Sequence, residues 1–228
     1  MKKAIVTGGS SGLGLAIARE LVKNNVQTII LARTNEDLQR VNKEIQNSLL
    51  TTYQCNVGNE KEVLNFFKDI ESKSFSPTLL FNVAGVGKFG DPKENTSEMI
   101  TTVFEASLIG MILMCSNFLK SINEESSNLI VNVMSTAALV GRPLESVYCA
   151  AKWGARGFTE SLKVYLKGSS TKIMAVFPGG INSPFWIDSG MSPNLETFMQ
   201  PEHVAKKIVF SSLNVDSSYV MDITINRI

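Results

Sequence analysis

Short apolar, β-branched runs alternate along the chain with longer stretches of helical period. The runs cover residues 3–7, 28–32, 51–55, 78–82, 129–134, 172–177 and 219–225, and their length and composition predict strands. Between them Leu13, Ile17 and Leu21 mark one helix, and Val63, Phe66, Phe67 and Ile70 mark another. Apolar positions three and four residues apart keep one helical face turned to a core. Residues 35–45, 97–122, 148–166 and 201–213 complete the predicted helices. Near-continuous apolar strands separated by helices predict an α/β, doubly wound parallel sheet of about seven strands, with helices on both faces. No repeat, low-complexity tract or Pro/Gly/Ser linker divides the chain, so a single domain over 1–228 is expected. One long segment, 179–200, lacks clear periodicity; a loop of that length in a compact domain is usually functional or mobile.

Composition narrows the chemistry. With 44% hydrophobic and 19% charged residues the chain can bury a core without disulfides. Lys and Arg number 22 against 21 Asp and Glu, evenly spread, which gives no basic face for nucleic acid or an anionic membrane. The longest uncharged stretch, 126–141, is too short and too polar to span a bilayer. Met1-Lys2-Lys3 imitates the start of a signal peptide, but TGGSSG follows before an apolar stretch can form. A cytoplasmic protein is expected. His203 is the single histidine, and Cys55, Cys115 and Cys149 form no C-x-x-C pair, so no metal site is expected. His203 lies in QPEHVAKKIV, which reads as a helix start. Acid–base chemistry then falls to another side chain.

The first strand runs directly into Thr7-Gly8-Gly9-Ser10-Ser11-Gly12-Leu13-Gly14 and a helix. Glycines at such a turn let the backbone approach a pyrophosphate, while the helix N-terminus favours the anion. A tight turn needing positive φ is the plainer alternative, but strand, spaced glycines and amphipathic helix occur together here. At the end of the second strand, where an acid would bind the ribose hydroxyls of NAD(H), Arg33 stands. A guanidinium pairs with a 2′-phosphate, which points to NADP(H); Glu36 or Asp37 could still reach a ribose, so NAD(H) stays possible.

Tyr148-Cys149-Ala150-Ala151-Lys152 sets a phenol and an ammonium four residues apart on one helical face. Free tyrosine titrates near pH ~10; a cation close by favours the phenolate and lowers that value, giving an acid–base group without histidine. Y-x-x-x-K alone occurs by chance on many helices. Ser135, however, follows the fifth strand, and doubly wound folds build their sites at the C-terminal ends of strands.

TGGSSGLG, Asn82-Val83-Ala84-Gly85, Ser135, YCAAK and Pro178-Gly179 together resemble the short-chain dehydrogenase/reductase family in order and spacing, over nearly the whole chain. The resemblance implies a Rossmann-like fold and hydride transfer between nicotinamide C4 and a carbonyl or alcohol carbon. It implies that Tyr148 is the acid–base group, that Ser135 hydrogen-bonds the substrate oxygen, and that Lys152 lowers the tyrosine pKa and holds the nicotinamide ribose. Gly8, Ser10, Ser11, Gly12, Leu13 and Gly14 would hold the pyrophosphate. Asn82, Ala84 and Gly85 would line the adenine side and support the sheet. Pro178, Gly179 and Ile181 would flank the nicotinamide, with Ser183 where the family usually has threonine. Two departures stand out. Asn56-Val57 replaces Asp-Val after the third strand, so the adenine contact keeps an acceptor and loses a charge. Ser107, in FEASLIG, replaces the asparagine of the family's proton relay.

The segment after the sixth strand closes over the substrate in this family, so 181–200 is expected to form a lid. Its Phe185, Trp186, Ile187, Met191, Leu195, Phe198 and Met199 fit a small apolar or aromatic carbonyl or alcohol substrate; mere packing of the lid is the alternative. The expected activity is NADPH-dependent carbonyl reduction. A 3-oxoacyl-carrier-protein reductase would need basic groups at the rim, for which Lys88 and Arg142 are the candidates. A nucleotide-binding regulator that has lost turnover is the remaining alternative. By resemblance the long helices of the chain's middle would form a homodimer or homotetramer.

Overall fold

A computed structural model describes residues 1–187, 189–215 and 218–228. Asp188, inside the expected lid, lies outside the described residues. The strands are β1 (Lys3–Thr7), β2 (Gln27–Ala32), β3 (Leu50–Gln54), β4 (Leu79–Asn82), β5 (Asn128–Val133), β6 (Thr171–Pro178) and β7 (Asp222–Ile225). They form a seven-stranded sheet in the order β3-β2-β1-β4-β5-β6-β7, and every pairing is parallel. The helices are α1 (Gly12–Lys23), α2 (Asn35–Glu44), α3 (Glu60–Ser72), α4 (Ser97–Phe104), α5 (Gly110–Ser121), α6 (Ser146–Tyr165) and α7 (Pro201–Leu213).

Alternation along the strands divides the core into two layers. Ala4 and Val6 of β1 face Leu15, Ile17 and Leu21 of α1 and Val204 and Ile208 of α7. Ile5 faces the other way, toward Phe66 of α3, Met114 and Phe118 of α5 and Ala155 of α6. Because both sheet faces are covered, the central strands are buried at nearly every position and mostly apolar, as the doubly wound pattern requires. Chain order reverses between β1 and β4, which opens a crevice at their C-terminal ends.

Two elements depart from expectation. The helix expected over 97–122 is interrupted by a π-helical turn, Glu105–Ile109. The Val57–Gly58 turn presses against it there: a Cβ on Gly58 would lie 2.9 Å from the Glu105 Cβ, and one on Gly110 would lie 2.6 Å from Val57 Cγ2. The strand expected over 219–225 begins only at Asp222, since β6 offers partners from Ala175 to Pro178 alone. The continuous helical stretch Ser97–Ser121 has a mean hydropathy of 1.7 and by length and composition alone could cross a membrane. Glu98 and Glu105 divide it into shorter uncharged runs. In the fold its Met111, Met114, Cys115 and Phe118 are buried beneath the sheet.

Candidate active site

The turn after β1 is built for close approach. Gly8 and Gly12 have φ of +64° and +48°, a region that non-glycine residues rarely enter. A Cβ on Gly14 would lie 2.1 Å from the Gly8 carbonyl oxygen, and one on Gly8 would lie 2.9 Å from Ala84 Cα. Thr7 ties the turn to the neighbouring one: its Oγ1 accepts from Val83 N–H at 2.9 Å and Ala84 N–H at 3.0 Å. Ser11 precedes α1 in extended backbone, and no acidic residue occupies the first turn. The first N–H groups of the helix therefore point into the crevice without a competing carboxylate. A cradle that side chains would fill, closed by a helix N-terminus, fits a dinucleotide pyrophosphate.

The crevice has a volume of about 570 Å³, and Ser10, Leu13, Ala84, Gly85, Ile181 and Ser183 line it with those glycines. Arg33, Asn56 and Val57 border one end. Asn56 turns its Oδ1 inward to accept from Gly58 N–H at 3.1 Å. Asp37 is already engaged. It accepts from Thr34 Oγ1 at 2.7 Å and from Arg40 at 3.3 Å, and the Thr34 hydrogen bond leads the causes that hold its carboxyl below the usual value. Arg40 also donates to the Ser10 carbonyl at 2.8 Å. Arg40 and Thr34 thereby brace the phosphate turn and the strand end, a role that only the order of α2 in space reveals.

At the centre of the crevice Ser135, Tyr148 and Lys152 come together with Pro178 and Gly179. Ser135 Oγ accepts from Ala137 N–H at 3.1 Å, which fixes the rotor and leaves its proton for another acceptor. Tyr148 is 8% exposed and Lys152 3%, and Lys152 Nζ sits 5.6 Å from the tyrosine ring centre. Burial pushes the phenol well above its ordinary value, while a hydrogen bond from Ser135 works in the opposite sense. Burial also pulls the Lys152 ammonium down to about 8. The expected lowering of the phenol by the lysine is not what governs it: desolvation, which penalises both charged forms, dominates. A phenol held protonated is a proton donor.

Asn82 and Ser107 do not line the crevice. Strand alternation turns Asn82 into the helix layer, where its Nδ2 donates to Asn132 Oδ1 at 2.9 Å and Asn132 donates to Thr159 Oγ1 at 3.0 Å. The asparagine holds β4, β5 and α6 together and does not line the adenine side. Ser107 is fully buried, and its Oγ has no hydrogen-bond partner among the described residues. A Cβ placed on Gly85 would lie 3.2 Å from that oxygen and 3.3 Å from Lys152 Nζ. Ser107 therefore stands behind the crevice wall, beside the lysine.

A roof of rings covers the tyrosine. Tyr148 meets Phe185 at 5.7 Å between ring centres, Phe185 meets Trp186 at 5.3 Å, and Trp186 meets Phe198 at 5.3 Å. The covering segment is pinned at its base by Asn182 N–H to the Met199 carbonyl at 2.9 Å and Met199 N–H to the Gly180 carbonyl at 3.1 Å. Phe89, after β4, completes the roof. Sequence reading missed it because it lies in a loop without period.

A glycine cradle at the β1–β4 crevice, with serine, tyrosine and lysine converging beside it, defines an NAD(P)-dependent oxidoreductase of the doubly wound class. The short chain dehydrogenase family model matches residues 2–192, and the chain belongs to that family. It is 30% identical over 215 residues to Carbonyl reductase family member 4 of Xenopus laevis, covering 92% of this chain and 90% of that one. A short-chain dehydrogenase/reductase structure from Vibrio parahaemolyticus superposes with a TM-score of 0.86 at 33% identity, covering 99% of this chain and 96% of the other. A variant of actinorhodin polyketide ketoreductase solved with NADPH gives a TM-score of 0.88 at 25% identity, covering 99% and 95%.

Proposed function

We propose that the chain reduces a small apolar or aromatic ketone or aldehyde to the alcohol, with NADPH as the preferred reductant. The observation that carries this reading is the convergence of Ser135 and a protonated Tyr148 under the aromatic roof, at the end of the glycine cradle. When bound, the reduced nicotinamide supplies a hydride to the carbonyl carbon. Ser135 and Tyr148 hold the carbonyl oxygen, and the Tyr148 hydroxyl gives its proton to that oxygen as the C–H bond forms. Lys152 lies behind the phenol, where its ammonium stabilises the phenolate left after transfer. The rings exclude water from the reacting centre.

NADPH preference rests on the engagement of Asp37. Its carboxylate is held by Thr34 and Arg40, which compete with ribose hydroxyls for its lone pairs, while Arg33 lines the same crevice with its charge free of any carboxylate at hydrogen-bond distance among the described residues. Exposed Ile100, Ile109 and Trp153, on the helical stretch Ser97–Ser121 and on α6, favour self-association, which light scattering would measure. The purified protein should be assayed with NADPH and NADH against aromatic diketones, aliphatic ketones, aldehydes and an acetoacetyl thioester, with Tyr148→Phe as the blank. Turnover of ketones under NADPH, lost in Tyr148→Phe, is expected. Activity confined to the thioester would favour the acyl reductase reading, and NADPH binding without turnover on any substrate would favour the regulator.

A further inference from the structure

The crevice that the rings cover also has one charged wall. Arg142 and Glu145 both line it, on the turn that leads from the end of β5 into α6. The Arg142 side chain is held by a bond from Nη2 to Thr136 Oγ1 at 2.8 Å. Glu145 is half-buried and precedes α6 without capping it. Among the described residues no group donates a hydrogen bond to its carboxylate. Burial raises its pKa, and the Arg142 charge beside it works the other way. A half-buried carboxylate that lines the crevice keeps lone pairs open to a donor entering that space.

Its position ties it to the chemistry. Glu145 lies three residues before Tyr148, and its charge acts on the phenol. The Gly90 N–H donates to the Leu144 carbonyl at 2.8 Å, which joins the loop carrying Phe89 to the turn carrying Glu145. Ring roof and carboxylate therefore border one space beside the catalytic hydroxyl.

We infer that Glu145, with Arg142 beside it, is a specificity-determining acceptor for an N–H or O–H donor on the substrate. Resting on the reductase reading above, this narrows the substrate class to planar aromatic or heteroaromatic carbonyl compounds that carry such a donor away from the reacting carbonyl. The rings bind the plane, Ser135 and Tyr148 bind the carbonyl oxygen, and Glu145 reads the polar edge.

A matched pair of ligands tests it: a phenyl-substituted 1,2-diketone and its meta- and para-hydroxyphenyl counterparts. Both kcat/KM with NADPH and calorimetric affinity with and without NADPH are measured for wild type, Glu145→Gln and Glu145→Leu, with melting curves to verify folding. Wild type should favour a hydroxylated ligand at least tenfold in affinity and in kcat/KM. Glu145→Gln should keep part of that ratio, and Glu145→Leu should bring it to about one. An equal ratio in wild type and Glu145→Leu, or no ratio in wild type, overturns the subsite while any turnover leaves the reductase reading standing. A Glu145-dependent affinity ratio without turnover supports the subsite and sinks the reductase reading.

Discussion

The Phe89 ring stands edge-on to the Tyr148 ring, with centres 5.4 Å apart and planes at 86°. Phe89 also contacts Phe185 and Trp186, and its N–H donates to the Ser189 carbonyl at 2.7 Å. It thus joins the loop after β4 to the segment that roofs the tyrosine. Phe89→Ala removes a buried ring (6% exposed), at a stability cost of about 3 kcal/mol. Because Ser135, Tyr148 and Lys152 stay in place, KM for the carbonyl substrate should rise at least tenfold while kcat falls less. Steady-state kinetics and urea unfolding check both, and an unchanged KM would remove Phe89 from the substrate pocket.

Gly14→Ala should abolish tight nucleotide binding. The added methyl would meet the Gly8 carbonyl oxygen at 2.1 Å, and backbone cannot give way as a flexible side chain can. Calorimetric affinity for NADPH is expected to fall more than tenfold. Gly157 on α6 makes the contrast, since nothing lies within 4 Å of its Cβ position. Gly157→Ala should leave affinity unchanged and add roughly 0.5–1 kcal/mol of stability.

The features legible in the sequence were those fixed by local pattern. Alternation between apolar runs and helical period located the strands and the sheet class, and the glycine turn announced itself because strand, turn and helix are contiguous. Ser135 and Tyr148 were placed together by the rule that sites gather at strand ends. What stayed hidden depends on register and on approach in space. Asn82 follows the same strand as its neighbours, yet the two-residue alternation decides that it points at Asn132 and away from the crevice. The π turn at Glu105–Ile109 lies where a turn distant in sequence, at Gly58, packs against the helix. Phe89 and Glu145 sit in loops, where no periodicity marks which side faces the site.

Lys152 makes stability depend on pH in the absence of nucleotide. Its folded pKa is about 8 against an ordinary value of 10.5, so the unfolded chain binds the proton more tightly. Below pH 8 both states are charged and the penalty is fully present. Between pH 8 and 10.5 the folded lysine is neutral while the unfolded one still holds its proton, and stability rises with pH. Cys55, Cys115 and Tyr148 are shifted upward by burial and act in the opposite sense as pH climbs. Subtracting the unfolding curve of Lys152→Met cancels them. The wild-type minus variant difference should grow from about pH 8 to about pH 10, and a flat difference would contradict a buried, destabilised ammonium.

Arg33 should separate the two cofactors. Loss of a charge-assisted contact to the 2′-phosphate amounts to roughly 1.5–3 kcal/mol, or about tenfold or more in affinity. Arg33→Ala is therefore expected to raise KM for NADPH at least tenfold and leave KM for NADH within about threefold. Asp37→Ala should weaken both, because Arg40, which braces Ser10, loses a partner. Equal losses with NADPH and NADH in Arg33→Ala would return the preference to the ribose.

Ser107 presents a buried hydroxyl with no partner among the described residues, next to the space shared by Gly85 and Lys152 Nζ. An unpaired buried hydroxyl destabilises a fold by about 1–3 kcal/mol, so a purely structural Ser107 would be improved by alanine. If the oxygen instead holds a water that returns the proton toward Lys152, alanine removes that function without harming the fold. Ser107→Ala should then melt at or above the wild-type temperature while kcat falls severalfold and KM stays level. A solvent isotope effect that grows in the variant would mark the proton return as the slowed step. Unchanged kcat with raised stability would leave Ser107 as a packing residue and route the proton through Lys152 alone.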